Sequence, residues 1–151
     1  MRKCIIALAT IACIAVSCKK EQETIITDMY IENTTLHAVR IEFIITILDQ
    51  MTMKDSVFSF SSNIQPMEGK KVFSLESLPY YSTFEHPDRY DSAKIYVGSR
   101  TFTVKKGQGM LKMDNYVAQP EKTHTQGNHT YYEKIFAFDD NYLNSLLNLA
   151  N

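Results

Sequence analysis

No block of Lys or Arg in this sequence is longer than two residues, and 16 basic against 17 acidic side chains leave a formal charge of −1. The electrostatic footprint of a nucleic-acid binder is missing, so no nucleic-acid partner is expected. Glycine and proline are scarce, at 5 and 4 residues, which excludes collagenous and low-complexity chains. No cysteine stands beyond residue 18 and no long apolar run beyond residue 16. Neither a disulfide framework nor a multi-span membrane protein is therefore expected. Catalytic signatures are as sparse: there is no H-E-x-x-H and no G-x-S-x-G. Gly107-Gln108-Gly109 opens like a dinucleotide fingerprint, but Lys112 stands where the third glycine belongs, so it is read as a turn. What is present is an ordinary globular composition, 44% hydrophobic and 11% aromatic in 151 residues, which suits one domain.

The first eighteen residues carry an address. Arg2 and Lys3 form a positive start, and the thirteen residues from Cys4 to Val16 are apolar except for Thr10. That run is too short for the roughly 20 residues a bilayer span needs and fits the hydrophobic region of a signal peptide. It leads into Ala15-Val16-Ser17-Cys18, which resembles the lipobox of bacterial lipoproteins. Ala15 stands where leucine is most common in that pattern. The resemblance implies cleavage after residue 17 and a diacylglycerol on the Cys18 thiol, with acylation fixing the chain to membrane lipid. Cys4 and Cys13 leave with the signal peptide, so the mature domain is expected to hold no thiol, no disulfide and no thiolate metal site. The mature chain would carry 14 basic and 17 acidic groups, a charge of −3. Its acyl chains alone would then hold it to the membrane. Residues 18–24 read as the lipidated cysteine and a polar tether, and 25–151 as a single β-rich domain. The tether, Lys19-Lys20-Glu21-Gln22-Glu23-Thr24, is similar to the export tracts of surface lipoproteins in gut Gram-negative anaerobes. The expected location is the outer membrane, with the periplasmic and surface faces both open.

From Ile25 onward a period of two dominates. Residues 25–33 read as a first strand, and 38–48 as the clearest one. Val39, Ile41, Phe43, Ile45 and Ile47 fall on one face, with Arg40, Glu42 and Thr46 on the other. Ile44 and Leu48 interrupt the polar face, so part of this strand is expected to be covered on both sides. Residues 56–60 and 71–75 alternate similarly around a Pro66/Gly69 loop. Residues 93–97 and 101–104 flank Gly98-Ser99 as a hairpin. Gly107-Gln108-Gly109 turns the chain before residues 110–117, a polar loop is expected over 118–129, and 130–138 form the last strand. Helical spacing appears only at the end. Asp139 or Asp140 can cap, and Tyr142, Leu143, Leu146, Leu147 and Ala150 form a stripe. The expected fold is mainly β, an antiparallel β-sandwich or small barrel of about seven strands with a short C-terminal helix.

This order of parts resembles a group of small uncharacterised β-rich lipoproteins of gut Gram-negative anaerobes. They share a lipobox, a compact β domain and a last strand passing through an acidic turn, here Phe138-Asp139-Asp140, into a short helix. The resemblance implies a fold and a compartment and brings no catalytic residues.

Candidate sites are few. Residues 78–90 (LPYYSTFEHPDRY) pack Tyr80, Tyr81, Phe84 and Tyr90 around Pro79 and Pro87. Such rings either present a recognition surface, for an envelope protein or a glycan, or plug one end of the sandwich. His124 and His129 share a polar stretch and could chelate a divalent metal. No Cys, Asp or Glu lies between them to complete a tetrahedral set, so no metal and no cofactor is assigned. Asn33-Thr34-Thr35 and Asn128-His129-Thr130 match the glycosylation sequon, to which a bacterial envelope gives little meaning. The leading expectation is a lipid-anchored envelope protein, not an enzyme, whose β domain binds or scaffolds a partner. A structural subunit of a surface assembly comes second, and a hydrolase or metal-dependent enzyme third.

Overall fold

The side chains that alternate most cleanly in the sequence build the centre of the molecule. In the computed structural model, which describes residues 24–49, 53–76 and 86–149, strand β2 spans Val39–Asp49. Val39, Ile41, Phe43 and Ile45 are buried, whereas Arg40 and Thr46 are exposed, so the strand phase is as expected. Leu48 departs from expectation: it is 49% exposed, and the outer face of β2 is not covered there. The lipobox, Cys18, the tether as far as Glu23, and Tyr80, Tyr81 and Phe84 lie outside the described residues.

The other strands are β1 Thr24–Asn33, β3 Lys54–Ile64, β4 Glu68–Glu76, β5 Ser92–Val97, β6 Arg100–Lys105, β7 Val117–Gln126 and β8 His129–Phe138. They form two four-stranded sheets, ordered β4-β1-β8-β7 and β3-β2-β5-β6. The sheets pack face to face as a sandwich, not a closed barrel. Phe43, Ile95 and Phe102 of one sheet meet Met29, Ile31, Phe73 and Phe136 of the other in a single core. The described strands number eight. The one that the sequence conceals is β7, which occupies most of the expected polar loop. Nearly all its side chains are exposed, so no alternation marks it; pairing with β8 alone makes it a strand. Its ladder is irregular between Gln119 and His124, around Pro120, which has no N–H to donate.

A second difference concerns direction. β1 pairs with β4 antiparallel but with β8 parallel, from Thr24 opposite His129 to Asn33 opposite Phe138. Hairpin signals are local and report only antiparallel neighbours, whereas this ladder joins the two ends of the domain. The β5–β6 hairpin is as expected, with Gly98 at φ 58° in its turn. Residues after Gly107 form two 3-10 turns, Gly109–Leu111 and Met113–Asn115, which bury Met110 and Leu111. Gly109, at φ 48°, has no room for a Cβ because the Tyr142 hydroxyl occupies that space. Helix α1, Asp140–Leu149, starts at Asp139, whose Oδ1 accepts the Tyr142 N–H at 2.7 Å. Leu146 is buried, and Tyr142 sets its ring edge-on to Phe136 and Phe138.

Candidate binding groove and strand edge

Tyr90 is the one member of the predicted aromatic set that the described residues include, and it is core. The 3-10 turn Pro87–Arg89 carries it inward, where it is 1% exposed. Its ring centroid lies 5.4 Å from Phe43, 5.8 Å from Phe60 and 5.6 Å from Phe73. Of the two readings of this segment, Tyr90 takes the second, a ring packed between the sheets. The proline-containing segment delivers its last ring to the space between the sheets, where apolar burial outweighs solvation of one hydroxyl. Burial pushes the Tyr90 hydroxyl up to about 12.

Above that cluster the sheets leave a cavity of about 340 Å³. Ile45, Phe58, Ser59, Phe60, Val72 and Tyr90 line it, and the hydroxyls of Ser59 and Tyr90 are their only polar side-chain groups. Phe60 stacks on Phe43 at 4.8 Å yet remains 37% exposed, and Phe58 is 46% exposed. The described residues that line it offer apolar and aromatic contacts and carry no charge. β3 forms one wall. Positions 54–61 of that strand are all exposed, and Val57, on the opposite face from Phe58, is 68% exposed.

Among the described residues the strands that end the sheets are β4, β7, β3 and β6, and three carry devices that discourage further pairing. β7 has Pro120, Glu121, Lys122 and its broken register. β4 has Lys70 and Lys71, and a register shift against β1 between Met29 and Tyr30. β6 is six residues long, with Arg100 and Lys105 at its ends. β3 is eleven residues long and regularly paired to β2, and residues 56–64 contain no charge, proline or glycine. No sequence period marks this contrast, because it depends on which strands lie outermost.

The two histidines are brought to the same ring without converging on a metal set. His124 stacks on Tyr131 at 4.8 Å, and His129 lies 6.3 Å from the same ring on its own strand. Glu133, the nearest carboxylate on β8, pairs with Lys122 at 3.6 Å. Among the described residues no three His, Cys, Asp or Glu side chains gather as a metal site. The first sequon has a structural account. Asn33 is fully buried, and its amide donates to the His37 and Gln65 carbonyls at 2.8 and 3.0 Å. Its Oδ1 accepts from the Thr35 N–H and hydroxyl at 3.1 and 2.8 Å, so Asn33 ties the end of β1 to that of β3.

One polar feature was not anticipated. On the outer face of the β3-β2-β5-β6 sheet, the Arg40 guanidinium lies 4.0 Å over the Tyr96 ring. The Tyr96 hydroxyl donates to Glu42 at 2.8 Å, and that bond raises its pKa. These side chains satisfy one another, and the shallow hollow beside them adds Asn63, Gln65 and Gly98. Among the described residues the titratable groups with displaced pKa values are tyrosines, chiefly made harder to ionise by burial, as at Tyr116 and Tyr142. Among the described residues no helix is long and apolar enough to cross a membrane. Compared with known protein families, curated proteins and solved structures, the chain matches none.

Proposed function

We propose that this chain is a lipid-anchored envelope lipoprotein whose β domain binds or scaffolds an extended partner without catalysis. The observation that carries the binding half is the apolar groove walled by β3, whose residues 56–64 contain no charge, proline or register break. The anchoring half rests on the lipobox. β1 begins at Thr24, so the five residues 19–23 separate it from Cys18. Extended, they reach about 16–18 Å and keep the Thr24 end of the domain close to the lipid surface. Cys18→Ala should abolish acyl labelling and release the protein from the membrane fraction. A mutant that stays lipid-labelled in membranes would remove the anchor. For the binding half, the full chain should capture peptides of alternating Phe and Ser, and Ser59→Lys should weaken capture. Equal capture by both chains would remove the groove and edge from the reading.

A second reading, a structural subunit of a surface assembly, is favoured by the same edge. A long unguarded strand is a ready point of assembly.

A further inference from the structure

Three side chains stand abreast on the outer face of the β3-β2-β5-β6 sheet, at the end of the domain away from Thr24. Asn63 of β3 faces Arg40 of β2, and Arg40 in turn faces Tyr96 of β5. They are held in sequence. The Glu42 carboxylate accepts the Tyr96 hydroxyl at 2.8 Å, which orients the phenol, and the ring takes the face of the Arg40 guanidinium at 4.0 Å. That contact leaves the edge of the guanidinium, where its N–H donors lie in the plane. Among the described residues no carboxylate pairs with Arg40 and no acceptor takes those donors. The same face sinks here into a hollow of about 300 Å³, bounded by Arg40, Tyr96 and the side chains of Asn63 and Gln65. Gly98 leaves one side of it without a side chain.

We propose that this hollow binds an acidic sugar residue, its carboxylate on the Arg40 edge and its hydroxyls on the Asn63 and Gln65 amides. The site goes beyond the groove between the sheets and does not depend on it. Three features select the ligand. An arginine fork matches the two oxygens of a carboxylate. Side-chain amides both donate and accept, as a ring of hydroxyls requires. The strands beneath, β2 and β5, are each paired on both sides, so their backbone has nothing left for an extended peptide. The charges around the hollow favour an anion. Glu42 and Glu68 already accept from the Tyr96 hydroxyl and the Gln65 N–H. Lys70 donates to the Asn63 carbonyl at 2.9 Å, and Lys94 faces Glu42, so two further cations stand at the margin.

The full chain in mild detergent, titrated with trigalacturonate by calorimetry, should bind it. The methyl ester of the same sugar, which lacks the charge, should bind about tenfold more weakly. Arg40→Gln should lose about the same factor for trigalacturonate, whereas Lys122→Gln on β7, an equal change in net charge, should lose none. Arg40→Lys keeps the charge without the fork and should fall between wild type and Arg40→Gln. Tyr96→Phe keeps the ring and loses the bond to Glu42, so it should weaken binding less than Arg40→Gln does. Arg40 is exposed, so the unfolding midpoint of Arg40→Gln should stay near that of the wild type, which separates lost binding from lost fold. A wild type that binds no trigalacturonate at millimolar concentration overturns the proposal. So does an ester bound as tightly as the acid, or an Arg40→Gln chain that binds like the wild type. If acetyl-Ala-Ala binds through Arg40, its amide does not and the sugar fails, the hollow is a peptide-carboxylate site and the sugar assignment falls.

Discussion

β3 and β7 hold equivalent places, each the outermost strand of its sheet and each exposed along most of its length. Their chemistry is opposite. β7 reads Val-Ala-Gln-Pro-Glu-Lys-Thr-His-Thr-Gln, with both signs of charge, a proline and a break in its ladder. The central residues of β3 are serine, valine and phenylalanine, and its ladder to β2 is unbroken. An edge that must stay single can be made unattractive by polar side chains and irregular backbone at little cost to the core. β7 has both, which also hides it from sequence patterning. β3 alternates, which makes it legible as a strand, and its apolar rings line a groove. The comparison teaches that, of these two strands, the one easier to find is the one without charge, proline or a break at its centre.

The largest expected effect tests what lies beneath the two edges. Phe43 is fully buried, stacked on Phe60 of β3 and edge-on to Phe73 at 5.1 Å. Phe43→Ala should cost about 3–5 kcal/mol in denaturant unfolding, a large share of a domain's stability. Beside β7, Ile135 faces Val117 and is half-buried, so Ile135→Ala should cost about 1–2 kcal/mol. Equal losses would mean that the two edges rest on equivalent cores and that the contrast is confined to their outer surfaces.

How far this contrast could be read in advance follows from where each signal resides. The burial phase of β2, the Gly98-Ser99 hairpin and the Asp139 cap are local, written within a few residues of one another, and all are found in the structure. The expected strands 56–60 and 71–75 prove to be the middles of β3 and β4, whose ends lack clear alternation. The parallel β1–β8 ladder joins residues at opposite ends of the domain, and no neighbouring side chains announce it. The groove was illegible because it exists only where two sheets face each other. Tyr90 was left between two readings for a related reason. A proline-rich aromatic segment has no period, so burial and exposure leave the same trace in it.

An intermediate effect sharpens the account of Tyr90. Its hydroxyl is pushed up to about 12 by burial, against about 10 for an unperturbed tyrosine. The neutral phenol is thus favoured in the fold. Its contribution is fully present below pH 10 and is lost as pH rises from about 10 through 12, where the unfolded chain releases the proton first. The part of that loss due to Tyr90 should grow across that interval and level off above it. Tyr90→Phe should therefore flatten the fall in stability between pH 10 and 12, leaving the contributions of Tyr116 and Tyr142, which burial also raises. An unchanged alkaline slope would place the hydroxyl in contact with water, and the groove floor would then be wetter than its rings suggest.

The smallest effect on stability separates a strand edge from a core most cleanly, because it asks for a change in association with almost none in folding. Val57 of β3 and Lys122 of β7 are both exposed residues of edge strands, and exchanging their chemistry exchanges the protection of the two edges. In dilute solution, where copies are apart, Val57→Lys should alter unfolding by no more than about 0.5 kcal/mol, as expected of an exposed position that supports no buried contact. Lys122→Val should cost slightly more, because it removes the ion pair to Glu133, which is itself partly exposed and worth about 0.2–1 kcal/mol. Association should move in opposite directions: less with Val57→Lys, and more with Lys122→Val, which removes a lysine from an edge whose remaining guards are Pro120, Glu121 and the broken register. Pro120→Thr combined with Lys122→Val should add further, since it restores an N–H to the ladder as well. Light scattering against concentration, read beside the unfolding curves, measures both quantities on the same samples. If the β7 variants remain as dispersed as the wild type, side-chain guards are not what keeps that edge single, and the broken register between Gln119 and His124 is sufficient alone.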